Sequence, residues 1–197
     1  MLSQYHQKYS DKPDKELELR AKVKEHELVQ IFSQVQLDTN SEVVRIAVMG
    51  CGDKRFVKSH EVIFEKLLQK PIELNTFDIT IEHLQSESNI FQHDCTIPLP
   101  NPPYDITYAH VLLKFIEPSK QWSVVENSYN ALKDGGLAIH VLDQEDYDPE
   151  LPLKDGHKVN LSEIEQKLSE KDIRFQKIII KSGPKFETDC MAMIIIK

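Results

Sequence analysis

The alternation of apolar and polar residues divides the chain into segments of two kinds. From residue 14, Leu17, Ala21, Leu28, Ile31, Phe32 and Val35 fall on one stripe at helical spacing, with charged residues elsewhere. This predicts an amphipathic helix with Pro13 in its first turn, Asp11 or Ser10 as its cap, and LDTNSE as its end. The stretch VVRIAVM (43–49) is β-branched and almost wholly apolar, as a strand buried on both faces should be. A glycine-containing turn follows. Residues 56–69 then repeat Phe56, His60, Ile63, Phe64, Leu67 and Leu68 every three or four positions, and Pro71 stops that helix.

The same reading predicts a second strand in PIELNTFDI, ending near Phe77, and a short third in NIFQHD. A fourth lies in YDITYAHVLL, after the turn PNPPY. A helix starts near Pro118 with Trp122, Val125, Tyr129 and Leu132 on its buried side, and KDGG (133–136) ends it as glycine ends helices. LAIHVL is a fifth strand, and residues 143–157 form a polar, solvated connection. The last helix, 161–170, is capped by Asn160 or Ser162, and FQKIII and CMAMIII are two strands joined by a turn at SGPK.

Strands alternating with helices imply a parallel sheet covered on both faces. Two apolar strands joined by a short turn must pair antiparallel, so the sheet is mixed. The expected organisation is an N-terminal helical extension, 1–40, and a ligand-binding α/β domain, 41–197. An open sheet of this kind binds ligands at the carboxyl ends of its strands, and the glycine turn after the first strand lies there.

Composition narrows the function. A chain of 197 residues suits a single core. Its net charge of −8 argues against a general nucleic-acid binder, which needs a basic face. No apolar run approaches the roughly 20 residues that span a bilayer, and the first residues have no secretory-signal pattern. Cys51, Cys95 and Cys190 include no C-x-x-C pair and read as reduced thiols. These features point to a cytoplasmic protein that needs neither membrane nor nucleic acid; its oligomeric state is open.

The candidate chemistry centres on VMGCGDKRF (48–56). A dinucleotide fingerprint would need a third glycine where Arg55 stands, and a phosphate loop would need a G-K-[ST] ending that is absent. An adenosyl ligand without phosphates fits better. A Gly50–Gly52 turn lets the backbone approach it, Asp78 stands after the second strand for the ribose diol, and Asp94 after the third for the adenine. His110, after the fourth strand, is a candidate general base or substrate contact. His140 reads as a packed core histidine, and Cys51 and Cys95 as space-filling residues beside the site. Adjacent residues on an extended chain point to opposite sides, so His93, Asp94 and Cys95 make a poor metal chelate.

From 43 to 197 the chain resembles the class I S-adenosylmethionine-dependent methyltransferases. IAVMGCGD is similar to the family's first motif, HDCTIPLP to its adenine motif, PPYDITYAHVLLKFI to its fourth motif, and ALKDGGLAIHVL to its fifth-strand motif. The resemblance implies a Rossmann-like three-layer sandwich, its mostly parallel sheet ending in a C-terminal antiparallel hairpin. It also implies S-adenosyl-L-methionine as cofactor, contacted by Gly50, Cys51, Gly52, Asp53, Lys54, Asp78, Ile79, Asp94, Cys95 and His110. The methyl acceptor would be an unidentified small molecule or protein, with the N-terminal extension, through Tyr5 or Tyr9, covering the methionine end. Two positions depart from the family: Val48 replaces an acid, and Lys54 a third glycine. Asp53 is then the expected partner of the cofactor's ammonium, and Lys54 or Arg55 of its carboxylate. Two alternatives stay open: a catalytically degenerate member that binds a nucleoside or a protein partner, and a nucleotide-using enzyme of related fold.

Overall fold

The computed structural model describes Gln7 and residues 11–85, 87–181 and 189–197. The expectations for Tyr5, Tyr9, Ser10 and the SGPK turn fall outside these residues. Helix α1 runs from Asp14 to Phe32. Then follow β1 (Val44–Met49), α2 (Lys54–Leu68), β2 (Ile72–Asp78), β3 (Ile90–Gln92), β4 (Tyr104–His110) and α3 (Pro118–Asn130). The chain continues with β5 (Leu132–Asp143), α4 (Gln144–Tyr147), α5 (Leu161–Glu170), β6 (Arg174–Ile180) and β7 (Cys190–Ile196).

All seven strands belong to one sheet in the order β3-β2-β1-β4-β5-β7-β6. β1 pairs in parallel with β2 and with β4, and β7 enters antiparallel between β5 and β6. The order reverses at β1, so the crevice after β1 is the switch point. Central position explains the apolar run of β1: five of its six residues are buried. The buried clusters lie on the two sides of the sheet. Leu28, Ile31 and Val35 of the α1 region join Ile63 and Phe64 of α2 in one of them; Val124, Val125, Ile164 and Leu168 of α3 and α5 join the other. This is the expected three-layer sandwich.

Three local expectations change. Pro13 is the N-cap of α1 rather than part of its first turn, and no side chain caps it. The KDGG segment does not end α3, which stops at Asn130 with Ala131 as its C-cap. Instead β5 begins at Leu132, and its register against β4 slips between Leu132 and Leu137, so residues 133–136 bulge out of the ladder. Gly135 sits in this bulge at φ +80, where a Cβ would lie 2.5 Å from the Asp38 carbonyl oxygen. The connection after β5 is not simply solvated. It contains α4, and Asp146 is fully buried.

Candidate functional site

A cavity of about 850 Å³ opens at the carboxyl ends of the strands and passes beneath α1. Small-molecule sites occupy roughly 300–1,000 Å³. Its floor is the glycine turn, and the residues after β2, β3, β4 and β5 form its walls.

The turn is held in shape by β2. The Gly50 N–H donates to the Phe77 carbonyl at 2.8 Å. The Cys51 N–H donates to Asp78 Oδ2 at 2.8 Å, and the Thr80 N–H to Asp78 Oδ1 at 3.1 Å. Asp78 therefore braces the turn with both carboxylate oxygens. Gly50 has φ +75, and a Cβ there would lie 2.9 Å from Leu112 Cδ1. Glycine is thus required both by conformation and by the close approach of the residue after β4.

Asp94 also reaches the cavity. Its Oδ1 accepts the Thr96 N–H at 2.9 Å, and hydrogen bonds from Thr96 hold its carboxyl below the usual range. Cys51, Cys95 and Cys190 all line the cavity, are buried, and form no disulfide. Burial pushes the thiols of Cys51 and Cys95 up to about 12 and that of Cys190 up as well, so none is a ready nucleophile.

The predicted residues therefore divide. Gly50, Cys51, Gly52, Asp78, Ile79, Asp94, Cys95 and His110 share one cavity; Asp53 and Lys54 are not among its lining residues. Asp53 caps α2, accepting from the Arg55 N–H at 2.9 Å. It also receives a bidentate grip from the Arg55 guanidinium at 2.8 Å on each oxygen. Arg55 extends further, to Lys12 O at 3.0 Å and Asp14 Oδ1 at 2.6 Å. It stitches the turn to the start of α1. Lys54 is exposed at the first position of α2. Val48, at the family's acidic position, is packed in the core.

Several polar residues of the cavity were not anticipated as site residues, Lys24, Glu27 and His60 among them. Lys24 and Glu27 of α1 are buried, with 8% and 7% exposure. Both lie in phase with the apolar stripe, Lys24 seven positions from Leu17 and from Ile31 and Glu27 four from Ile31, and charge at such positions is the signal that could have found them. Glu27 Oε2 meets His110 Nε2 at 2.9 Å, and Glu27 Oε1 accepts from the Cys190 thiol at 3.6 Å. Burial alone would raise the Glu27 carboxyl, but His110, Lys24 and Cys190 together bring it below the ordinary value. The third residue is His60 of α2, read from the sequence only as a core position. It is 2% exposed, and among the described residues neither ring nitrogen has a hydrogen-bond partner. Burial, then Lys24 and His110, drive its pKa well below the ordinary value.

The wall after β5 is rigidly tied. Lys114 reaches Glu145 at 3.2 Å, Asp146 at 3.1 Å and Asp155 at 3.0 Å. Lys158 Nζ donates to three carbonyls, those of Glu145, Asp148 and Leu151, at 2.6–2.8 Å. His140 is packed and hydrogen-bonded as expected, 2.8 Å from Ser128 Oγ. Among the described residues no group of three His, Cys, Asp or Glu side chains could hold a metal ion, and no helix is long and apolar enough to cross a membrane.

No protein-family model and no curated protein matches the chain. Solved structures do. An S-adenosylmethionine-dependent methyltransferase from Clostridium acetobutylicum ATCC 824 superposes with TM-score 0.63 at 11% identity, covering 88% of this chain and 91% of its own. The N-methyltransferase NodS from Bradyrhizobium japonicum WM9, in complex with S-adenosyl-l-homocysteine, gives TM-score 0.55 at 13% identity over 94% and 88% of the two chains. A protein described as a pericyclic reaction enzyme gives 0.58 at 12% identity over 84% of this chain and 46% of its own. These likenesses concern architecture, and one fold supports several chemistries. The seven-stranded sheet with its antiparallel β7 is the fold of the class I S-adenosylmethionine-dependent methyltransferases.

Proposed function

We propose that this protein binds S-adenosylmethionine in the cavity below α1 and transfers its methyl group to an acceptor that loses a proton, a hydroxyl or an amine on a small molecule. One observation carries the reading. The Gly50–Gly52 turn, Asp78 and Asp94 lie at three successive strand ends in one cavity, with Asp78 hydrogen-bonded directly to the turn. The pocket suits an adenosyl ligand. It has glycine where a side chain would collide, a carboxylate at the end of β2 that faces the cavity, and no phosphate-loop sequence.

Bound there, the cofactor supplies an electrophilic methyl group on a sulfonium. The chain's residues position the two reactants and handle the proton. Asp78 holds the ribose hydroxyls, and Asp94 with the Cys95 amide holds the adenine edge. Ile79, 59% exposed, offers an apolar surface at the same mouth. His110 is the proton acceptor. Glu27 engages its Nε2, which leaves Nδ1 as the nitrogen free to take a proton, and Glu27 stabilises the resulting imidazolium. A base held in this way is useful only for an acceptor that must be deprotonated. α1 roofs the cavity, which supports a small acceptor over a folded protein.

The test is calorimetry with S-adenosylmethionine and S-adenosylhomocysteine, followed by a screen of hydroxyl and amine acceptors with methyl-labelled cofactor. Binding of both ligands and label transfer support the reading. Binding without transfer to any acceptor favours the degenerate alternative, which draws on Val48, the core residue at the family's acidic position. Failure of both ligands to bind at millimolar concentration removes it.

A further inference from the structure

We propose that Lys24 of α1 is the receptor for the carboxylate of the cofactor's amino-acid end, so that α1 recognises the charged end of the ligand and not its nucleoside. The inference rests on the reading that the cavity binds S-adenosylmethionine.

Lys24 is an unusual residue for its position. It is 8% exposed and lines the cavity. Among the described residues its ammonium makes no hydrogen bond or close ion pair: it stands over the Phe56 ring at 5.1 Å and feels the carboxylates of Glu27 and Asp143 only across a distance. The other cavity cations near α1 and the β5 wall are engaged: Arg20 with Glu16, Lys114 with three carboxylates, and Lys181 with Asp189. Burying an ammonium without a hydrogen-bonded acceptor is costly, and neither Glu27 nor Asp143 supplies one, so a group held in this way asks for an anionic acceptor from outside the chain.

Its place in the fold says which anion. Phe56 lies in the first turn of α2, directly after the glycine turn, and the Lys24 ammonium stands over its ring. With the adenosine end anchored at Asp78 and Asp94, the rest of the ligand must run across the turn toward His110, which brings its amino-acid end under α1. There, Lys54 is exposed and Arg55 is committed to Asp53 and Asp14. The carboxylate partner expected from α2 is therefore supplied by α1. His60, also lining the cavity with both ring nitrogens unpartnered, is a second polar group in the same region that a ligand can satisfy.

The test compares S-adenosylhomocysteine, which has the amino-acid end, with 5′-methylthioadenosine, which lacks it. Calorimetry is run on the wild type and on Lys24→Met, Lys24→Arg and Lys54→Ala, each first shown to melt cooperatively. Losing a hydrogen-bonded charge partner should weaken S-adenosylhomocysteine about 10- to 150-fold in Lys24→Met. 5′-Methylthioadenosine should stay within about twofold, Lys24→Arg should restore most of the loss, and Lys54→Ala should resemble the wild type. In hydrogen exchange, α1 should be protected by S-adenosylhomocysteine and not by 5′-methylthioadenosine. The proposal is overturned if Lys24→Met leaves S-adenosylhomocysteine unchanged, or weakens both ligands alike, as a merely structural lysine would. A wild type that binds 5′-methylthioadenosine but not S-adenosylhomocysteine overturns it while leaving a nucleoside site. A wild type that binds neither ligand overturns the cofactor reading and the proposal together.

Discussion

Nε2 of His110, at the end of β4, lies 2.9 Å from Oε2 of Glu27, on α1. The pair joins the carboxyl edge of the sheet to the helix above it, so removing Glu27 should act on both. Glu27→Ala leaves the His110 N–H and the Cys190 thiol without their acceptor, at a cost of about 1–3 kcal/mol. In a chain of this size each kcal/mol lowers the melting temperature by about 2–4 °C. Glu27→Gln keeps an acceptor and should lose less than half as much. Equal losses in the two variants would show that charge, not the hydrogen bond, holds the pair.

Asp78→Ala should weaken S-adenosylhomocysteine about 10- to 150-fold, the range for losing hydrogen bonds to a charged group. Because Asp78 also accepts from Cys51 and Thr80, the variant should melt lower as well. A binding constant equal to that of the wild type in a folded variant would remove Asp78 from the ligand.

Gly50→Ala tests the turn itself. At φ +75, with Leu112 Cδ1 2.9 Å from the new methyl group, it should cost about 1–3 kcal/mol in strain. Shortening the neighbour in the double variant Gly50→Ala, Leu112→Ala should relieve the collision but not the backbone strain. Ligand affinity that returns fully in the double variant would mean that conformation is unimportant there.

Lys24 should show a cost of keeping a binding group ready. Burial lowers its pKa from 10.5 to about 8, with Glu27 opposing. A base whose folded pKa lies below its unfolded value carries a penalty that is full below about pH 8. The penalty is relieved as pH rises toward 10.5, where the unfolded chain also releases the proton. That penalty is on the order of 3 kcal/mol. Lys24→Met should therefore be more stable than the wild type at pH 7, by an amount that shrinks between pH 8 and 10, as urea unfolding at several pH values would record. An advantage that does not change with pH would place its origin in packing.

His140 should give the opposite window. Burial lowers its pKa from 6.5 to about 4, and His60 shifts in the same direction. The neutral forms stabilise the fold fully above about pH 6.5, and this stability is lost as the pH falls toward 4. For His140 it amounts to roughly 3 kcal/mol. Replacing His140 by Gln should flatten the acid limb of the unfolding curve. An unchanged limb would assign acid sensitivity to other groups.

The sheet was legible in the sequence because its strands are apolar runs bounded by turn residues, and β1, buried on both faces, is the clearest of them. The glycine turn and its two acids were legible for a related reason: each stands at the end of its own strand, where topology brings strand ends together. The KDGG segment was misread because glycine can end a helix or leave a ladder, and only the pairing of β5 with β4 decides between them. Lys54 was expected at the ligand because it follows the turn, yet the first residue of a helix points where the helix axis sends it, here to solvent. Glu27 and Lys24 were passed over as ordinary helix charges. What selects them is the packing of α1 on α2 and β6, a long-range fact that local spacing does not carry.

α1 also meets the far end of the chain. Gln30 exchanges two hydrogen bonds with the Lys181 backbone, at 3.0 and 3.1 Å, and Glu27 receives the Cys190 thiol at 3.6 Å. On the ribosome, α1 is made before the first strand, and the residues that hold it in place are made after the sixth. A nascent chain can build the turn, Asp78 and Asp94 well before it can close the cavity above them. In the order of synthesis the seating of α1 over the cavity is therefore the last step of the pocket to mature, and on the reading proposed above a chain stalled before β6 should bind nucleoside without yet sensing the charged end of the cofactor.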